Sequence, residues 1–182
     1  YDEALADFAA AQPMERSHPF WWLVQRSDVY TAMGRHEDAF ADLARAVQVR
    51  PEGGFSWHKL EQASRQVSDT DAAVETLQPL CESSDPSITA RAHALMASIF
   101  LRLEQFDDAQ TSLTRAAESR QQHLGAGPNK AHALPTANNP FRVVLPWITS
   151  CPDAQLRSRL RALVGEFAET NSRTEKETQP DR

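Results

Sequence analysis

The sequence predicts an all-α protein made of repeated helical hairpins, and three observations carry that prediction. Four stretches align on a shared alanine: "YDEALADFAAA" from Tyr1, "RHEDAFADLARAV" from Arg35, "DTDAAVETLQPL" from Asp69 and "QFDDAQTSLTRAA" from Gln105. Their alanines, Ala4, Ala39, Ala73 and Ala109, are spaced by 35, 34 and 36 residues, close to the ~34-residue period of a helix-turn-helix unit. Four positions after each alanine stands Phe8, Leu43, Leu77 or Leu113, and three further on Ala11, Ala46, Leu80 or Ala116. These form a single stripe on a helix. Only 6 glycines and thinly scattered β-branched residues argue against sheets.

Each stripe needs a cover, and the preceding segment supplies it: Leu23 and Tyr30 in the first full unit, Trp57 and Leu60 in the second, Met96 and Phe100 in the third. Small residues are expected where the paired helices cross, Ser27 against Ala39 and Ala97 against Ala109, because close helix axes exclude bulky side chains. "FWW" at Phe20 to Trp22 cannot turn all three rings to one side of a helix, so at least one must point away from the hairpin core. Asp107 and Asp108 fall in a helix first turn, where their charge complements the helix dipole. After the array, His123 to Pro140 is rich in Gly, Pro, Asn and Ala and reads as a loop. The apolar run "FRVVLPWITS" follows. Pro152 and Asp153 then open a helix with Leu156, Leu160, Leu163, Val164 and Phe167 on one face, suited to cap the last hairpin, since a stack of repeats leaves one face uncovered. The tail from Asn171 is polar and aperiodic, as in disordered segments.

In Ser27, Tyr30, Gly34, Ala39, Leu43, Ala46 and Pro51 the chain resembles the tetratricopeptide repeat family. The third unit keeps Ala97, Phe100, Phe106, Ala109, Leu113 and Ala116 but carries Glu104 where that pattern has glycine. The second departs further, with Glu61 at the crossing, Ser64 at the aromatic position and Pro79 inside its second helix, so a kinked and looser hairpin is expected. The resemblance covers about residues 1–120 and implies a right-handed helical-hairpin solenoid with a C-terminal capping helix. The organisation expected is a half repeat over 1–17, repeats over about 20–53, 54–87 and 90–123, a linker with an apolar segment over 123–152, a helix over 153–169 and a disordered tail over 170–182.

Composition excludes several jobs. A formal net charge of −6 is wrong for a general nucleic-acid binder, which needs an excess of clustered lysine and arginine. Runs such as "ALMASIFL" fall far short of the ~18 apolar residues of a membrane span, so no insertion is expected. Cys81 and Cys151 are too few and too far apart for a disulfide framework or a thiolate zinc site, which leaves the compartment of a soluble protein open. His18, His36, His58, His93, His123 and His132 show no metal-ligand spacing, and "GAGPNK" lacks the ending of a phosphate loop. No cofactor and no catalytic residue is expected. The chain begins at Tyr1 without methionine and reads as a fragment, so a catalytic domain outside it is a further reading.

The resemblance places a partner protein on the concave wall formed by the first helix of each repeat. That wall is Trp21, Val24, Gln25, Asp28, Thr31 and Ala32, then Phe55, His58, Lys59, Gln62, Arg65 and Gln66, then Arg91, Ala94, Leu95, Ser98, Leu101 and Arg102. Lys59, Arg65, Arg91 and Arg102 stand there against a single acid, Asp28, although the whole chain has 25 acidic and 19 basic residues. An acidic, extended or helical protein segment is the expected partner of a non-catalytic scaffold, with Trp21 and Phe55 as apolar anchors. Chaperone C-terminal tails are not expected: the carboxylate-clamp positions hold Val24, Asp28, Lys59, Arg91 and Leu95, of which only Arg91 is compatible. The competing reading is an assembly module whose groove is filled by its own segments from Phe141 onward.

Overall fold

The computed structural model describes residues 1–11, 19–125, 140–162 and 164, and among these it is helical with no strand. In order come α1 (Asp2–Ala11), α2 (Pro19–Ala32), α3 (His36–Val49), α4 (Gly54–Ala63), α5 (Thr70–Cys81), α6 (Pro86–Arg102), α7 (Phe106–Gly125), a 3₁₀ turn (Pro140–Val143), α8 (Leu145–Ser150) and a helical segment over 154–162. The chain divides into two compact units, Tyr1–Glu82 and Ser83–Arg182. The expected "HLGAGPNKAHALPTANNP" loop beyond Gly125, His18, His132, Leu163, Phe167 and the polar tail lie outside the described residues.

In the first unit α2 and α3 pack along their length as a hairpin. Ser27 and Ala39 are both buried, and so are the stripe residues Leu43, Ala46 and Val47. One charge pair is sealed into this hairpin. Arg26 donates from Nε to Asp42 Oδ2 at 2.6 Å and from Nη2 to Oδ1 at 2.5 Å, with side-chain exposures of 17% for Arg26 and 4% for Asp42. The guanidinium lies 3.9 Å from the Trp22 ring centroid, so one of its faces is covered as well as its edge. Trp22 in turn donates from Nε1 to the Phe8 carbonyl at 3.0 Å and meets the Phe8 ring edge-on, fastening α1.

The second hairpin differs from its neighbours. α4 and α5 make little direct contact with each other, and each packs on α3. Glu61 at the would-be crossing keeps the backbones apart, whereas Trp57, Leu60, Leu77 and Leu80 are fully buried. α5 is capped by Asp69, whose side chain accepts from the Ala72 N–H at 3.0 Å. Glu37, in the first turn of α3, accepts from both the N–H and the hydroxyl of Ser68, at 3.3 and 3.1 Å, and so ties α3 to the loop before α5. Those bonds hold the Glu37 carboxyl below its usual pKa. Pro79 sits near the end of α5, which continues only to Cys81, so few bonds are lost to it.

In the second unit α6 and α7 form a tightly packed hairpin, with Ala97, Ala109, Leu113 and Ala116 all at 0% exposure. Asp85 caps α6 ahead of Pro86, accepting from the Ser87 N–H at 2.8 Å. α6 is buried continuously from Ala92 to Leu101, more than one partner helix can achieve. The 3₁₀ turn and α8 also pack on it, with Phe141, Val144 and Ile148 buried. Of the stretch expected as a linker with an apolar segment, the part from Pro140 to Ser150 is helical, with Pro146 in the first turn of α8. Asp153 caps the helix at 154–162 through the Gln155 and Leu156 amides, and Leu160 and Val164 are buried. Arg120 continues the α7 stripe into the interior, where burial lowers its pKa; its Nε and Nη1 meet no hydrogen-bond partner among the described residues.

The turns inside the two closed hairpins share one geometry. Gly34 donates to the Thr31 carbonyl and Arg35 to that of Tyr30, while Glu104 donates to Leu101 and Gln105 to Phe100. This is the helix-ending motif that places its turn residue in the left-handed region. Gly34 has φ 73° and Glu104 φ 61°. The third repeat thus keeps the glycine conformation without the glycine.

Three outcomes follow from this packing. Glu104→Gly relieves a left-handed side chain and raises stability by about 0.5–1 kcal/mol, while Gly34→Ala lowers it by about 1 kcal/mol although a Cβ there meets no atom within 4 Å; urea denaturation of both variants checks this. Asp42→Ala strands a mostly buried guanidinium and costs about 2–3 kcal/mol, discounted for the solvent that reaches Arg26, and the apolar pair Arg26→Met with Asp42→Leu recovers most of it. Burial first, and then the charge of Arg115, push the His93 pKa below 6.5. The folded chain therefore binds fewer protons than the unfolded one: stability is full above pH 6.5 and falls as pH drops through the lowered value. His93→Leu should flatten that decline, measured as thermal midpoint against pH.

Candidate functional site

The residues that the sequence assigns to the first two thirds of the wall lie in the first unit. α2 carries Trp21, Gln25, Asp28 and Thr31 along one exposed stripe at helical spacing, and α4 carries Phe55, Lys59 and Gln62 along another, with Gln66 in the turn just after it. The two stripes face each other. Trp21 and Phe55, 50% and 48% exposed, meet with ring centroids 6.0 Å apart and planes tilted by 45°. Trp21 is the ring of the aromatic triplet that points out, and it is backed edge-on by buried Phe20 at 5.1 Å. Further along, Lys59 donates from Nζ to Asp28 Oδ1 at 2.5 Å and sits 5.6 Å from the Phe55 centroid. Beyond that pair a cavity of ≈ 220 Å³ opens, lined by Asp28, Thr31, His36, Ala39, Leu43, Lys59, Gln62, Ala63 and Gln66.

The cavity owes its form to the hairpin chemistry. Ala39 and Leu43 of α3 make an apolar floor, and because Ala39 has no side chain beyond Cβ the floor is low. α2 and α4 are the walls. His58 and Gln62, one turn apart on α4, are hydrogen-bonded at 3.1 Å, and Arg65 is exposed in the turn that follows the helix. Val24, also assigned to the wall, is instead 3% exposed and belongs to the core.

The remaining wall residues, Arg91, Leu95, Ser98 and Arg102, belong to the second unit. Leu95 and Ser98 are buried there, as are Ala94 and Leu101, so these side chains do not line an open surface. The Ser98 hydroxyl donates to the Leu95 carbonyl at 2.7 Å, satisfying itself within α6. Arg91 and Arg102 are half-buried, and burial lowers the Arg102 pKa. The physical reason is the added layer of the 3₁₀ turn and α8 on α6.

The sequence did not reveal that Ala39, Leu43 and Ala63 reach the cavity, because they carry the signature of hairpin core. It also passed over the bond between Asp28 and Lys59. The available signal was opposite charge at matching phases of successive first helices. Among the described residues no group of His, Cys, Asp and Glu is placed to hold a metal ion, and no helix is long and apolar enough to cross a membrane. A comparison with curated proteins found no match. A comparison with protein families matched the tetratricopeptide repeat to residues 23–52, from α2 through α3, and to 90–123, from α6 through α7. Both stretches are the closed hairpins with the left-handed turn. Over these two stretches the chain is similar to the tetratricopeptide repeat.

Proposed function

We propose that the first unit holds a segment of another protein in the groove between α2 and α4, and that the chain serves as a non-catalytic scaffold or adaptor. Repeats of this family generally mediate protein–protein interactions. The observation that carries the reading to this groove is the exposed pair Trp21 and Phe55 at the mouth of a concave, partly apolar cavity. Half-exposed aromatics beside a pocket are the arrangement of interaction hot spots, where a partner gains most by excluding water. Lys59 on α4 and Arg65 in the turn after it favour a segment with acidic character, steered by charge and oriented by hydrogen bonds.

A second reading is supported by the 3₁₀ turn and α8 on α6: an assembly module in which the chain's own segment occupies a first-helix face, with Phe141, Val144 and Ile148 as its buried anchors. The two readings concern different units and are compatible. The same groove also suits the docking arm of an enzyme whose catalytic domain lies outside this chain.

Site-specific photocrosslinking tests the groove. A benzophenone side chain placed at Gln62 should give a discrete adduct with the natural partner in extract, and one at exposed Gln78 on α5 should not. Adding Trp21→Ala with Phe55→Ala should reduce the Gln62 adduct at least about tenfold, as truncating two hot-spot aromatics implies. Adducts at Gln78 with none at Gln62 would move the interaction off this groove.

A further inference from the structure

We infer that the bound segment carries an acidic residue that takes Lys59 from Asp28, set between an apolar residue on Trp21 and Phe55 and an aliphatic side chain in the cavity. The inference rests on the groove being a segment-binding site and specifies its occupant. α2 and α4 run in the same direction, since the contacts between them proceed from Trp21 with Phe55, through Asp28 with Lys59, to the cavity shared by Thr31, Gln62 and Gln66. Asp28 comes from one wall and Lys59 from the other, so their bond crosses the groove as a bar. The aromatic pair lies on one side of it and the cavity floor of Ala39 and Leu43 on the other.

The two ends of the bar are not equivalent. The Lys59 side chain is 23% exposed and also rests by the Phe55 ring, whereas the Asp28 side chain is 60% exposed. Lys59 is therefore held in place, and Asp28 is the end that water and a ligand can replace. A segment long enough to reach both compartments must pass the bar. Laying a neutral or basic chain across it separates the charges and leaves a partly desolvated ammonium without a counter-ion, which is costly. A segment carboxylate removes that cost by standing where Asp28 stands, so Asp28 acts as a built-in competitor that screens out segments lacking an acid.

The spacing can be read from the helices. Trp21 to Asp28 spans ~10 Å along α2 at 1.5 Å per residue, which is about three residues of extended chain at ~3.4 Å each. From Asp28 to Thr31 is ~4.5 Å, one or two residues more. The cavity, at ≈ 220 Å³, is smaller than the ~300–1,000 Å³ of small-molecule sites, and its floor of Ala39 and Leu43 suits an aliphatic side chain. The occupant is thus an extended segment with an apolar residue, an acid about three positions along and an aliphatic residue shortly after.

The test uses the full chain and a displayed library of random eight-residue peptides, with the affinity of enriched peptides measured by fluorescence anisotropy against wild type, Asp28→Asn, Lys59→Met and Trp21→Ala. Enriched peptides should carry Asp or Glu about three positions from an apolar residue. Lys59→Met should weaken them about five- to tenfold, and Asp28→Asn should tighten them about two- to fivefold by removing the competitor. Asp28 and Lys59 lie at the surface of the groove, and unchanged thermal midpoints would verify that these variants fold. Peptides that depend on Trp21 but ignore both charge variants would overturn this inference and leave the groove reading standing. Basic peptides weakened by Asp28→Asn would also overturn it. No enrichment, or binding indifferent to all three variants, would sink both.

Discussion

Close approach of α2 and α3 is the constraint on which the first unit depends, because the same two helices form its core, one groove wall and the groove floor. Ser27 and Ala39 let the helix axes come together, and the stripe from Leu43 to Val47 seals the interface. Burying Asp42 in that interface requires a cation at fixed geometry, and Arg26 meets it with two hydrogen bonds while Trp22 covers its face. Such a pair adds little net stability over an apolar one, but breaking either half is costly, so it holds α2 in one register on α3. That register aims Trp21 outward and Trp22 inward.

Where the crossing residue is large, the architecture changes. Glu61 occupies the place of a small residue, and the helices on either side of it seek separate partners on α3 rather than each other. This gives α3 three neighbours and leaves α4 beside α2 across a gap instead of sealed against α5. The groove is a consequence of that choice. Lys59 closes it at one point through Asp28, and the aromatic pair at another.

The second unit solves a different problem. Its hairpin is closed by Ala97 and Ala109, and its α6 is too apolar on its remaining faces to stand in water. The chain covers it with Phe141, Val144 and Ile148 from a short 3₁₀ turn and helix, so burial there comes from a segment with no repeat signature. His93 and Arg120 are enclosed with it, and desolvation lowers the pKa of each.

The sequence by itself determined the helices, their pairing within the first and third repeats, and the outward turn of one ring in "FWW". Those features follow from local rules: an alanine period sets the hairpin, apolar spacing sets the stripe, and three successive rings cannot share one face. It also marked Glu104 as a substitution for glycine, and the left-handed φ there shows that hydrogen bonding of the turn dictates the backbone even against a side chain. Only the tertiary structure decided which wall residues face solvent. Leu95 and Ser98 have the right phase for an open wall, yet α6 is covered by residues some forty to fifty positions away along the chain, and no local pattern encodes so distant a neighbour. The bond between Asp28 and Lys59 likewise joins residues 31 positions apart. Charge type is written in the sequence, but whether a charge is free or already answered depends on where the next helix comes to rest.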